Sequence, residues 1–340
     1  MYRGVRTHRE NTRAVTTSTE HDFATRTDPF RRELLAHCYR MLASVHDAED
    51  LVQETYLRAW RAWDRYDRER ASLRTWLYRI ATNACLNALE SRVRRPLPSG
   101  LGAPGQDPEQ PLVHGGEVPW LQPFPDTRLG TDGRDPADVV AERADLRLAF
   151  VAAVQLLPAR QRAVLLLRDV LAFSAAEVAA LLDTTTPAVN SALQRARGRL
   201  AEAGAQPTGE LADPQARALV DRYVSAFENA DIDALKRLLT DDAILEMPPF
   251  LNWYAGREHY ARFIARVFAL RGTDWRMLPT AANGQPAVAA YVRDRDGTYR
   301  LHTLQVFTVT AAGITRTTVF QDAAVFALFG LPELVDAAPR

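Results

Sequence analysis

Three stretches of this 340-residue chain carry side chains spaced to grip a partner. Asp47, Asp50, Gln53 and Glu54 recur at three- and four-residue intervals, so on a helix they share one face, and Leu57 continues it. Carboxylates around an apolar residue have the composition of an interface rim and centre, suited to a basic partner. The same acids also fit a wet helix surface. Trp76, Arg79, Asn83 and Asn87 follow at the same spacing on a second helix. A ring can stack on an unpaired base, a cation can hold phosphate, and an amide can read a base edge. Arg92, Arg94 and Arg95 add backbone-type contacts at its end, although a core tryptophan with solvated arginines gives the same pattern. A third set, Thr186, Asn190, Ser191, Gln194, Arg195 and Arg197, puts donors and acceptors on the outer face of another helix. That is the chemistry of major-groove reading, against the plain alternative of an αα-hairpin.

The elements that must position these residues can be read from caps and apolar spacing. Asp47 reads as the N-cap of the acidic helix, with Ala48, Leu51, Val52, Thr55 and Ala59 facing a core. Ser72 caps the second helix and Pro96 ends it, and its predicted core stripe is Leu73, Leu77, Ile80, Ala84 and Ala88. Ser174 with Glu177 forms a capping box. Asp183 and Thr184 make a turn, with Asp183 tolerating a left-handed backbone. Thr185 then caps the next helix, Pro187 occupies its first turn, and Val189, Leu193 and Ala196 pack inward. Two helices at a short turn, the second polar outside, form a helix-turn-helix.

Composition bounds the rest. The formal net charge is zero, but the sign is distributed unevenly. Residues 21–95 carry 14 basic and 11 acidic side chains, whereas residues 96–136 carry 2 and 6. Local patches of both signs steer binding even when the total cancels. Residues 96–136 also hold 9 Pro and 7 Gly, so no long helix or strand can persist there. The predicted organisation is a disordered tail over 1–21, a helical module over 22–96 and an extended arm over 97–137. A helix-turn-helix module over 138–203, a linker over 204–213 and an α+β domain over 214–340 follow. The opening MYRGVRTHRENTRAVTTSTE lacks the apolar segment of a secretory signal, and no apolar run is long enough to span a membrane, so a cytoplasmic protein is expected. Cys38 and Cys85 lie in apolar helical patterns and read as buried thiols. No cysteine–histidine cluster suggests a metal, and no cofactor motif occurs. In the last domain Asn283-Gly284 and Asp296-Gly297 are hairpin turn signals. Glu246, His302 and Asp322 are its acid–base candidates by residue type.

Taken in order, HDAEDLVQETYLRAW, SLRTWLYRIATNACLNALESRVRRP, LPARQRAVLLLRDV and SAAEVAALLDTTTPAVNSALQRARGRL resemble regions 2 and 4 of the extracytoplasmic-function (ECF) sigma factors. The likeness spans about residues 28–95 and 138–200. The arm's VPWLQPFPD and a C-terminal domain similar to the SnoaL-like, NTF2-like cone narrow it to the actinobacterial G- and J-type group. The resemblance implies two all-α modules plus an α+β cone, and a non-enzymatic subunit that directs core RNA polymerase to promoter DNA. It implies that Asp47, Asp50, Gln53 and Glu54 dock on the basic β′ clamp. Trp76, Arg79, Asn83, Asn87, Arg92, Arg94 and Arg95 would then serve the −10 element, and the helix-turn-helix the −35 element. Trp120 and Phe124 would accompany the arm through the polymerase cleft, against β and β′. The appended domain would modulate activity, and an anti-sigma factor is a further partner open to such a chain. The leading alternative is a free-standing helix-turn-helix regulator with a ligand-sensing cone; it leaves the acidic helix and the Trp76 helix without a role. An enzyme with a DNA-binding appendage is the third reading.

Overall fold

The computed structural model describes residues 21–90, 94–128, 145–202 and 213–336. The expected tail, most of the 204–213 linker, Arg92 and the arm beyond residue 128 lie outside these. The chain divides into two compact units, one of residues 1–92 with 157–198 and the other of residues 93–156 with 199–340.

The first unit is all helical. Its N-terminal part holds α1 (Arg31–Leu42), α2 (Val45–Arg61) and α3 (Leu73–Glu90). Ala43, left-handed at φ 54°, turns the chain between α1 and α2. The α2 cap is Ser44, not Asp47: its Oγ accepts the Asp47 N–H at 3.2 Å, which shifts the helix start upstream of the predicted cap. Ala48, Leu51, Val52, Thr55 and Ala59 are buried as the spacing requires. On α3 the buried face is Leu77, Tyr78, Ala81, Ala84 and Cys85, whereas Ile80 and Ala88 are only half-buried. The stripe is rotated and widened because α3 is covered on two sides, by α1 and α2 and by α5 (Ala159–Leu165) and α6 (Ala175–Leu181). A π-turn (Leu166–Val170) follows α5. The capping box of Ser174 and Glu177 opens α6, Asp183 is left-handed at φ 50°, and α7 runs Thr186–Glu202.

Two polar inserts hold this unit together. His37 is buried between α1 and α3 and bonds Thr82 Oγ1 at 2.9 Å. Burial, then the charges of Arg40 and Arg74, pull its pKa down to about 3, so it is a neutral core group at pH 7. Arg162 of α5 is buried and donates to the carbonyls of Met41 at the end of α1 and of Leu157.

The second unit contains α4 (Leu148–Val154), α8 (Asp213–Glu228), α9 (Ile232–Leu238), α10 (Arg257–Arg271), α11 (Ala323–Leu328) and a seven-stranded sheet. The strands are β1 (Leu239–Glu246), β2 (Trp253–Ala255), β3 (Trp275–Ala282), β4 (Gln285–Arg293), β5 (Tyr299–Thr310), β6 (Gly313–Phe320) and β7 (Leu334–Val335). They run in the order β2-β1-β6-β5-β4-β3, with β7 on β5 and only β1–β6 parallel. Asn283 and Gly284 both have positive φ, 58° and 68°, and close the β3–β4 hairpin as the primed turn their types favour. The core joins α8, α9 and α10 to one face of the sheet through Tyr223, Phe227, Phe263, Phe268 and Phe307.

The arm residues 96–128 belong to this unit and carry only two 3-10 turns and isolated bridges to Phe250 and Ala282. They are nonetheless held. The Gly105 N–H bonds the Trp253 carbonyl at 2.8 Å, and the Gly115 N–H bonds Pro249 at 2.9 Å. Glycine is required at both: a Cβ on Gly105 would press into the Tyr254 ring, and one on Gly115 into Trp120.

Candidate functional site

Asp50 and Gln53 are exposed, Asp47 and Glu54 half-exposed, all on one side of α2, and Glu54 is paired with Arg58 one turn on. Leu57 continues that side and is 56% exposed, unusual for a leucine on a helix whose other apolar positions are buried. It lies in an open groove of about 440 Å3 with Gln53, Phe23, Arg31, Tyr56 and Trp60. Tyr56 is fixed there by its hydroxyl, which donates to the Thr27 carbonyl at 2.7 Å, and by the Arg31 guanidinium 4.4 Å over its ring. Carboxylates beside an open apolar groove can take a partner with basic and apolar side chains. Spacing located the acids and Leu57. It missed the groove because Phe23 and Trp60 meet only in the fold, at 5.3 Å.

Trp76 is half-buried and belongs to an aromatic tier. Its ring lies 4.9 Å from Tyr66 and 6.2 Å from Trp63, and Tyr66 stacks on Trp63 at 16°. Arg26 sits 4.9 Å over Trp63. Tyr66, Trp63 and Arg26 were not picked out by helical spacing, since they come from a turn and from the segment before α1. Arg79 is exposed nearby on α3. Asn83 and Asn87 line a separate cleft of about 190 Å3 with Ala159 and Arg160 of α5's first turn. Trp76 and Asn87 thus have different neighbours, the aromatic tier and the α5 cleft. Arg94 and Arg95 fall in the second unit, where Arg95 donates to the Trp120 carbonyl at 3.3 Å.

On α7, Thr186, Asn190, Ser191, Gln194, Arg195 and Arg197 are all exposed, while Val189, Leu193 and Ala196 are buried against the rest of the unit. Arg195 reaches back to Ser191 Oγ at 2.6 Å. Arg197 is already engaged: its Nε and Nη2 donate to the two Asp169 oxygens at 2.9 and 2.7 Å, and that carboxylate raises its pKa. Asp169 sits on the π-turn, so the pair joins α7 to the preceding helix.

In the second unit Phe124 is fully buried, with its N–H on Asn283 Oδ1 at 2.8 Å; in this arrangement it is a core residue, and Trp120 is half-buried. Two of the three acid–base candidates are structural. Glu246 is fully buried and accepts from Arg316 at 2.6 Å, Thr318 and Ser99. Asp322 caps α11 by accepting the Ala324 N–H. His302 lines a cavity with Gln321 beside it, and no Asp or Glu lines that cavity. An acid–base pair is thus not assembled there. Cys38 and Cys85 are free and buried, no group of three His, Cys, Asp or Glu among the described residues could hold a metal, and no described helix is long and apolar enough to cross a membrane.

The chain matches the sigma-70 region 2 family over residues 28–95, the sigma-70 region 4 family over 147–200 and the SnoaL-like domain family over 220–317. It is 50% identical over 318 residues to the ECF RNA polymerase sigma factor SigG of Mycobacterium tuberculosis, covering 92% of this chain and 84% of that one. It is 30% identical to SigJ of the same organism over 70% of each chain. The crystal structure of SigJ shares its fold, with a TM-score of 0.62 at 23% identity over 91% of this chain and 99% of that chain.

Proposed function

The chain belongs to the ECF sigma-70 family, and we propose that it works as a bridge in which α2 grips core polymerase while α3 and α7 address separate promoter boxes. As a sigma factor it binds core RNA polymerase in the cytoplasm, recognises −35 and −10 elements and initiates transcription. Bond making is left to the polymerase.

Asp47, Asp50, Gln53 and Glu54 supply the rim of the polymerase contact, and Leu57 with the groove its centre. One exposed ion pair contributes only about 0–1 kcal/mol, but several on one face set register and association rate. Burying the exposed half of Leu57 adds about 1–1.5 kcal/mol. Trp76, with Tyr66 and Trp63, offers the ring faces on which an unpaired −10 base would stack, and Arg79 the neighbouring cation. Asn83 and Asn87 reach DNA once α5 moves away from them. Arg92, Arg94 and Arg95 would follow the phosphates. Thr186, Asn190, Ser191, Gln194 and Arg195 face the −35 major groove, while Arg197 braces the helix through Asp169. Two weak DNA contacts on one polymerase give specificity through effective concentration. Trp120 and Phe124 enter the polymerase cleft only if the arm leaves the C-terminal domain, so that domain acts as a restraint on activity.

The observation that carries this reading is the exposed Leu57 in an open groove beside Asp50, Gln53 and Glu54. Asp50→Arg with Glu54→Arg is expected to abolish retention on immobilised core polymerase while leaving the helical circular dichroism spectrum intact. Undiminished retention would return the face to ordinary solvation.

A further inference from the structure

The C-terminal domain holds a cavity of about 180 Å3 that the sigma function does not use. Its walls are apolar: Phe227, Leu245, Phe263, Ile264, Trp275 and Val319. A dry cavity of about 150 Å3 lined by such side chains takes up benzene, so this one has room for a single ring with one small substituent. The polar contribution is sparse and specific. His302 and Gln321 lie 3.3 Å apart on one wall, and His302 is neutral, its pKa pulled to about 4 by burial and then by Arg271. Arg266 and Arg271 also line the cavity, and no carboxylate does. The exposed Arg271 guanidinium makes no ion pair or hydrogen bond among the described residues. Leu270, 70% exposed, lies in the same lining.

One lining residue comes from the arm. Leu112 reaches the cavity between tethers on both sides. Before it, Arg266 Nη1 donates to the carbonyls of Pro108 and Gln110, each at 2.6 Å. After it, the Val113 N–H bonds Asn252 Oδ1 at 2.6 Å and the Leu251 N–H bonds the Val113 carbonyl at 2.8 Å. The arm's hold on this domain and the cavity's filling are therefore the same structure.

We propose that the cavity is a binding site for a small monocyclic aromatic carboxylate, and that Leu112 is the plug such a ligand displaces. The ring replaces Leu112 against the phenylalanine and tryptophan walls. The carboxylate meets Arg271 and competes for Arg266, since it offers a guanidinium an opposite charge and a bidentate geometry that neutral carbonyls do not. Loss of the Arg266 bonds frees residues 108–112. The binding step stands without the restraint proposed above, while its effect on transcription rests on that reading.

The test uses the full-length protein without polymerase. Isothermal titration with benzoate is expected to give saturable one-to-one binding, with tighter binding by Leu112→Ala and loss in Leu112→Trp, which fills the space. Arg271→Gln is expected to weaken benzoate at least tenfold and leave benzyl alcohol unchanged. Benzoate is also expected to speed cutting after Glu109 by a glutamate-specific protease. Absence of benzoate binding to both the parent protein and Leu112→Ala would overturn the site. Equal binding of benzyl alcohol, with Arg271→Gln indifferent, would overturn the carboxylate, and unchanged proteolysis would overturn the plug. An unchanged circular dichroism spectrum and thermal melt for each variant serve as the folding control.

Discussion

Asn283 offers the sharpest test of how the arm is held. It is fully buried at the tip of the β3–β4 hairpin. Its Oδ1 accepts the Phe124 N–H at 2.8 Å, its Nδ2 donates to the Leu146 carbonyl at 2.6 Å, and its own N–H donates to the Phe124 carbonyl at 2.8 Å. Asn283→Ala keeps the last bond and removes the first two. Each buried group left without a partner costs about 1–3 kcal/mol, so the two together cost about 2–6 kcal/mol. Alanine at a φ of 58° adds about 1 kcal/mol. A whole domain is stable by only about 5–15 kcal/mol, so the loss falls on the weakest attachment, the arm. Native-state hydrogen exchange over residues 121–127 reads it. The share belonging to the Phe124 amide, about 1–3 kcal/mol, predicts exchange roughly 5- to 150-fold faster. Amides within β4–β5 should keep their protection. Asn283→Asp retains the acceptor and the left-handed tolerance, so Phe124 stays protected while the Leu146 side loosens. In reconstituted transcription Asn283→Ala should raise output. Unaltered exchange at 121–127 would show that the arm is held elsewhere and refute the reasoning.

Three further outcomes follow from the same structure. His37, with a folded pKa near 3 against 6.5 unfolded, binds its proton later in the folded state, so its stabilisation is complete above pH 6.5 and is lost as pH falls towards 3. His302, at about 4, acts in the same direction. Denaturant melts between pH 6.5 and 4 should lose about 1.4 kcal/mol per pH unit per histidine, and His37→Gln should flatten the transition of the first unit. Tyr66→Ala should reduce promoter opening about 5- to 150-fold, the equivalent of one base stack of about 1–3 kcal/mol, read by 2-aminopurine fluorescence in the −10 element, with the helical spectrum unchanged. Arg74→Ala removes a guanidinium 4.6 Å over Phe173, a contact of about 0.5–2 kcal/mol, and should tighten core-polymerase binding about 2- to 30-fold by freeing α5–α7 from α3.

The helices, their caps and the turn chemistry were legible because they depend on neighbours within four residues. Ser174 with Glu177, Asp183 and Asn283-Gly284 all do locally what their types favour. Asp47 was misplaced as a cap because Ser44, three residues earlier, competes for the same role and wins. The rotated face of α3 was not legible, since one amphipathic stripe assumes one packing partner and α3 has partners on two sides. The Trp63–Tyr66–Trp76 tier and the Phe23–Trp60 edge contact join segments that no periodicity links. Arg197 falls by spacing among the −35 readers, and its ion pair with Asp169, 28 residues away, is invisible to local spacing. Glu246 looked like an acid–base group for the same reason: Arg316, Thr318 and Ser99 are brought to it only by the sheet and the arm. The Pro/Gly-rich arm was read as lacking regular structure, and residues 96–128 carry little. Its attachment is made through backbone groups, which residue type does not reveal.

The strength of the closed arrangement in the first unit can be set against what opens it. In that unit α5 stands beside Asn83 and Asn87, so on the reading proposed above DNA that enters this cleft displaces α5–α7 from α3. To turn a 99:1 preference for the closed form into 1:99, a partner must favour the open form by about 5.5 kcal/mol. The α2 face can supply much of that: about 1–1.5 kcal/mol from the exposed half of Leu57 and up to about 1 kcal/mol from each carboxylate contact. The contacts that resist include Arg162 at the end of α1, Arg74 over Tyr78 and Phe173, and the edge-on contact of those two rings at 5.3 Å. On the reading proposed above, these contacts must together cost less to break than docking on the polymerase supplies.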